Sequence, residues 1–221
     1  FMGEYNIFDI LGPVMIGPSS SHTAGACRIA KTALLIAGNE FTKVEFDLHG
    51  SFAKTYKGHG TDRALLAGVL GIEPDDIRLR DSFAIAEQRG IDYVFREADL
   101  GDVHPNTAKI TFTYEDGTTM YIVGSSIGGG NIEIIDINGI AVQFTGSYPT
   151  ILLKYVDVRG IIADISSELA RNGYNIEGMK TLKHDGIVTL IVELDKNIGE
   201  DLTENLLKDD RFLFTKYIQR N

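Results

Sequence analysis

The sequence predicts an α+β protein of two domains, and three observations carry that prediction. Helical patterns come first and antiparallel-strand patterns follow, the order of an α+β domain and not of alternating βα units. A turn-forming group, Gly146-Ser147-Tyr148-Pro149, then marks a change of character. Beyond it the pattern reads strand, helix, strand, strand, helix, strand. Domains are therefore expected at 1–148 and 149–221.

Within the first domain, residues 23–37 read as a helix and 44–48 as a strand. Residues 61–70 and 82–88 read as helices, the second stopped by Gly90. Strands follow at 91–96, 108–114, 119–123, 132–137 and 140–144, with tight turns at Asp116-Gly117 and Asn138-Gly139. In the second domain, 150–156 is β-rich. Residues 160–172 place Ile161, Ile162, Ile165, Leu169 and Ala170 at helical spacing, with Gly173 as the stop. Strands at 174–182 and 187–194 are joined by Lys183-His184-Asp185-Gly186, whose Asp-Gly pair signals a hairpin. Residues 203–207 read as a short helix and 212–218 as a last strand.

Composition narrows the function. The chain carries 21 basic and 31 acidic residues, a net charge of −10, which argues against a surface built to neutralise phosphates. No apolar run approaches the roughly 18 to 20 residues a bilayer span needs. The start lacks a secretory pattern, so a cytoplasmic location is expected. Cys27 is the one cysteine, so no intramolecular disulfide forms, and a cluster needing several thiolates must be held largely by another chain.

The most distinctive stretch is Gly17-Pro18-Ser19-Ser20-Ser21-His22-Thr23-Ala24-Gly25. Hydroxyls and one imidazole open onto a helix, whose first N–H groups are unpaired and partly positive. A carboxylate or phosphate fits there, with Ser19, Ser20, Ser21 and Thr23 adding hydrogen bonds. His22 carries an imidazole that can move a proton. Simple helix capping by Ser and Thr is the competing reading.

Other segments carry the same ambiguity. His59 lies between Gly58 and Gly60, which permit close backbone approach, and Lys54 and Lys57 are nearby cations or plain surface lysines. His104 precedes Pro105, and Asn106 can donate and accept; a structural turn is the alternative. Gly128-Gly129-Gly130 follows a strand, as an anion-binding nest or a plain hairpin turn, and lacks nucleotide-loop spacing. The histidines show no i, i+4 pair, so no metal ligand set is read. Cys27 defaults to a small buried hydrophobe.

Four ordered strings, 17–25, 50–62, His104-Pro105-Asn106-Thr107 and Ser126-Ile127-Gly128-Gly129-Gly130, resemble the signatures of bacterial iron-sulfur L-serine dehydratases, and Phe8-Asp9-Ile10-Leu11-Gly12-Pro13 fits as well. The chain looks like the β-type subunit, a serine dehydratase beta-type domain followed by an ACT domain of ferredoxin-like plan. The first domain also resembles the allosteric substrate-binding domain of some phosphoglycerate dehydrogenases.

The resemblance implies elimination of water from L-serine to 2-aminoacrylate, which hydrolyses to pyruvate and ammonium, a step of amino-acid degradation feeding gluconeogenesis. It implies a [4Fe-4S] cluster on a cysteine-bearing α-type partner, with one open iron as Lewis acid for the hydroxyl. On this reading Ser19, Ser20, Ser21 and Thr23 hold the substrate carboxylate, with Lys54, His59, Asn106, Gly128 and Gly129 in the binding region. His22 and His104 are the candidates for proton transfer. In the ACT domain, the loop Asp157-Val158-Arg159-Gly160 and Asn175 match effector-contacting positions, although many ACT domains have Pro-Gly where this chain has Arg159-Gly160. Self-association through that domain is also implied. A non-catalytic amino-acid sensor is the competing function, and a stand-alone serine hydrolase would need a nucleophile elbow, whose Gly-x-Ser-x-Gly string is read as absent.

Overall fold

The computed structural model describes residues 20–220. The chain divides into two compact units between Asn138 and Gly139. Both residues have left-handed φ, 51° and 79°, as a tight two-residue hairpin turn requires.

The first unit opens with α1 (Ser20–Ala37), then β1 (Phe41–Leu48), α2 (Gly50–His59) and α3 (Thr61–Val69). A short 3-10 turn (Ile77–Asp81) leads into α4 (Ser82–Gln88), and then come β2 (Asp92–Glu97), β3 (Thr107–Tyr114), β4 (Thr119–Gly128) and β5 (Asn131–Ile137). Within this unit the strand order is β2-β1-β3-β4-β5. Pairings β1–β3, β3–β4 and β4–β5 are antiparallel, whereas β2 joins the edge of β1 in parallel. The helices between β1 and β2 provide the long crossover a parallel pair needs.

Helix α2 departs from the sequence expectation, which left residues 50–60 without an element. Two glycines within it and only Phe52 and Ala53 buried make its helical signal weak. Gly58 lies inside this helix, while Gly60 takes the left-handed joint (φ 74°) into α3.

Alternate residues of the central strands, among them Phe46, Leu48, Ile110, Phe112 and Ile122, are fully buried with Ile29 and Ile36 of α1 and Leu65 and Leu66 of α3. Close approach depends on missing side chains. A Cβ on Gly124 of β4 would lie 2.7 Å from Ile29, and one on Gly68 of α3 would lie 2.4 Å from the Cys27 carbonyl. Tyr114 Oη donates to the Ala37 carbonyl at 2.7 Å, fastening the far end of α1 to β3.

The second unit holds β6 (Ile140–Phe144), β7 (Thr150–Val156), α5 (Ile161–Arg171), β8 (Ile176–His184), β9 (Ile187–Leu194), α6 (Glu200–Leu207) and β10 (Phe212–Ile218). From β7 onward the order is βαββαβ, and the antiparallel sheet runs β10-β7-β9-β8, a ferredoxin-like plan. Ile151, Leu153, Val188, Leu190 and Val192 meet Ile161, Ile165 and Leu169 of α5 and Leu202 and Leu206 of α6. Near-continuous apolar runs in β7 and β9, together with one helical stripe on α5, explain why this unit was readable from sequence.

The two kinds of glycine make opposite predictions. Gly68→Ala should destabilise the chain by about 1–3 kcal/mol through overpacking. Gly58→Ala, in open space on α2, should stabilise it by about 0.5–1 kcal/mol. Urea denaturation of the two variants checks both signs.

Candidate functional site

The site is built around one turn. His104-Pro105-Asn106-Thr107 leads into β3, and each of its four carbonyls is engaged. The His104 carbonyl accepts from Thr107 Oγ1 (2.6 Å), the Pro105 carbonyl from Ser51 N (2.8 Å), the Asn106 carbonyl from Ser126 N (2.9 Å) and the Thr107 carbonyl from His49 N (3.0 Å). Gly50 makes the approach of α2 possible: its φ is +55°, and a Cβ there would stand 2.7 Å from the Pro105 oxygen.

Held this way, Asn106 meets α1. Its Oδ1 lies 3.2 Å from Nε2 of the half-buried His22. The His22 ring also lies 6.3 Å, centroid to centroid, from the exposed His59 and 5.9 Å from the buried Phe52. Thr23 is buried, and its hydroxyl donates to the His59 carbonyl at 3.4 Å, joining the start of α1 to the end of α2. Gly25 lets β4 come close, because a Cβ there would overlap the Ser126 hydroxyl.

The start of α1 is suited to an anion. Its first turn holds no acidic residue. By contrast, the Pro105 carbonyl serves N–H groups at the start of α2, and Asp62 Oδ1 accepts from Arg63 N in α3. Burial pushes the Asp62 carboxyl above the usual carboxylate range, and hydrogen bonding and charge at Arg63 oppose the shift.

Of the expected residues, then, the structure brings His22, His59 and Asn106 together, with Thr23 as a tie between helices. Ser20 and Ser21 form the first turn of α1, and Ser19 lies outside the described residues. Lys54 is exposed and five residues from His59, which places it about 140° round α2. Gly128 and Gly129 are exposed at the β4–β5 turn, where all three glycines have left-handed φ. That turn is fixed to α1 by Arg28 Nη1, which donates to the Gly130 carbonyl at 2.7 Å. His104 is exposed, and its Nδ1 accepts the N–H of Asn106 at 3.1 Å.

Sequence reasoning missed Phe52, Arg28, the Gly25–Ser126 contact and the Thr107–Ser125 hydroxyl pair at 2.7 Å. It also missed Thr61, fully buried with no hydrogen-bond partner for its hydroxyl among the described residues. A Gly-x-Ser-x-Gly spacing does occur, at Gly124-Ser125-Ser126-Ile127-Gly128, and the sequence reading overlooks it. Here Ser126 is buried within β4 and not perched on a strand-to-helix turn, so this is no nucleophile elbow.

In the second unit, Gly160 (φ 98°) caps the start of α5, whereas Asn175 follows its end. Eleven residues of helix separate them by about 16 Å, so one copy does not bring the two together. A shallow cleft is lined by Asn172, Tyr174, Gly199, Glu200, Asp201 and Leu202, and its two carboxylates disfavour an anion.

This is a two-unit α+β protein with an imidazole–amide cluster near the start of α1, whose first turn has no acidic residue. The family described as "Serine dehydratase beta chain" matches residues 6–90. "L-serine dehydratase, beta chain" of Peptoniphilus asaccharolyticus is 52% identical over 99% of this chain and 100% of its own length. "Probable L-serine dehydratase, beta chain" of Bacillus subtilis (strain 168) is 44% identical over 92% of this chain and 93% of its own. "L-serine dehydratase 2" of Escherichia coli (strain K12) is 33% identical over 58% of this chain but only 33% of its own length. The chain belongs to the serine dehydratase beta chain family.

Cys27 is fully buried on α1, and its Sγ donates to the Ile72 carbonyl at 3.3 Å. Burial pushes its thiol up to about 12. Iodoacetamide at pH 8 should therefore modify the native chain at least about 100-fold more slowly than the urea-unfolded chain, as mass spectrometry would read.

Proposed function

We propose that this chain is the β-type subunit of an L-serine ammonia-lyase and converts L-serine to pyruvate and ammonium only together with a cysteine-bearing α-type partner. The observation that carries the reading is the meeting of His22, His59 and Asn106 at a helix start without a carboxylate of its own. Two relatives of full matching length bear the dehydratase beta-chain name. The longer relative, of which this chain covers a third, supports a second chain completing the enzyme.

A [4Fe-4S] cluster does not fit the residues of this chain. Its single thiol is buried, protonated and committed to the Ile72 carbonyl. A cluster ligand must be a thiolate. We assign the cluster to the partner.

This chain's own contribution is binding and proton transfer. On this reading the substrate carboxylate sits at the start of α1, where the helix end supplies partial positive charge, and Ser19, Ser20 and Ser21 remain the residues that the family resemblance assigns to it. The α-proton is weakly acidic, so a base must stand beside it, and His22 is placed for that task with Asn106 orienting its ring. His59 lines the same corner, and the buried Phe52 ring packs beside the His22 imidazole. The proton and the β-hydroxyl leave as water, and hydrolysis of the resulting enamine gives pyruvate and ammonium.

The second unit acts on this reading as an ACT-type module through which two copies pair, with Gly160 of one copy and Asn175 of the other available to an amino-acid effector. Their separation within one copy supports that arrangement. No helix among the described residues is long and apolar enough to cross a membrane, in keeping with a cytoplasmic enzyme.

Anaerobic pyruvate formation from L-serine tests the reading, with this chain alone and with its cluster-loaded partner. Activity is expected only in the mixture, and His22→Ala should lower kcat by about 100-fold or more. Turnover by this chain alone would overturn the two-chain assignment. A silent, properly loaded mixture would favour an amino-acid sensor.

A further inference from the structure

We infer that His104 is a positioning residue that sets Asn106 against His22, and that it takes no part in proton transfer. This rests on the reading of His22 and Asn106 as the working pair.

The argument starts from the lone pairs of an imidazole. A neutral ring has one protonated nitrogen and one acceptor nitrogen. In His104 the acceptor is Nδ1, which receives the N–H of Asn106 at 3.1 Å, so the ring proton resides on Nε2. The lone pair that a general base would offer is already engaged. Taking a proton there would convert Nδ1 into a donor facing another donor, and the turn would open.

The span of this bond identifies its role. A side-chain acceptor reaching the backbone N–H two residues on is what Asp and Asn do in an Asx turn. His104 performs that function with an imidazole, and its own carbonyl is taken by the Thr107 hydroxyl. The backbone N–H of Asn106 is thus held by His104, and its carbonyl accepts from Ser126 N. With both backbone groups fixed, the side-chain amide has a defined direction, towards Nε2 of His22. Loss of the His104 acceptor would leave His22 in place but loosen the group that orients it.

Two substitutions separate this role from chemistry in the reconstituted two-chain enzyme. His104→Ala removes the acceptor, and kcat should fall by about 10- to 100-fold from misplacement of Asn106. His104→Asn restores an oxygen acceptor at the same span, and kcat should return to within about threefold of the parent, with an unmoved pH profile. Equal loss in both variants, or loss of one limb of the pH profile in His104→Asn, would overturn the assignment.

A measurement on this chain alone keeps it independent of the dehydratase reading. Nitrogen-15 NMR of the histidine rings should show His104 protonated at Nε2 and bare at Nδ1. The opposite tautomer would sink the inference, whereas an inactive parent mixture beside the expected tautomer would count against the dehydratase reading only.

Discussion

Everything at the working end of the first unit depends on how one short turn satisfies its backbone. The four carbonyls of residues 104–107 are taken by a side chain of the turn, by the start of α2, by β4 and by His49, which follows β1. Each such bond contributes only about 1 kcal/mol net, but leaving a buried partner unpaired costs about 1–3 kcal/mol. The turn is therefore determined several times over. Its one side-chain amide is presented to α1 by a frame that has no slack.

Helix α1 makes the other half of that meeting, and its place is set by what is missing from its neighbours. Gly124, Gly25 and Gly68 let sheet and helix approach to distances a methyl group would forbid. Thr23 and Tyr114 then fasten the two ends of α1, one to the His59 carbonyl and one from β3. The core that drives this assembly is ordinary aliphatic and aromatic burial. Specificity comes from glycines and hydroxyls at the contacts.

The second unit was legible nearly strand by strand, because β7 and β9 are short apolar, β-rich runs bounded by turn signals and α5 carries one apolar stripe. In the first unit the strands were equally readable, but their partners were not: the parallel placement of β2 follows from a crossover that a strand pattern does not encode. Helix α2 escaped because Gly50, Gly58 and Thr55 dilute its propensity. The site was legible as strings and not as a constellation. The segment containing Lys54 and His59 reads as a single unit until it is wound into a helix, which sends the two residues to different sides. His104 reads as a proton-transfer candidate and Asn106 as a binding residue until the geometry gives the first to the turn and the second to His22. Phe52 has no sequence signal beyond being apolar, since only the fold decides which buried ring faces an imidazole.

Helix α2 is bounded by Gly50 and Gly60, both in left-handed conformations that other residues adopt only under strain. Its first turn is pinned to the Pro105 carbonyl and its last carbonyl to Thr23. The interval between those glycines is consequently a matter of phase as much as of length. One residue more or fewer would rotate the far end by about 100° and shift it by about 1.5 Å. His59 would then face away from His22 while every hydrophobic residue of the core remained available. Among tolerated insertions and deletions, this stretch is a ruler whose divisions cannot be moved.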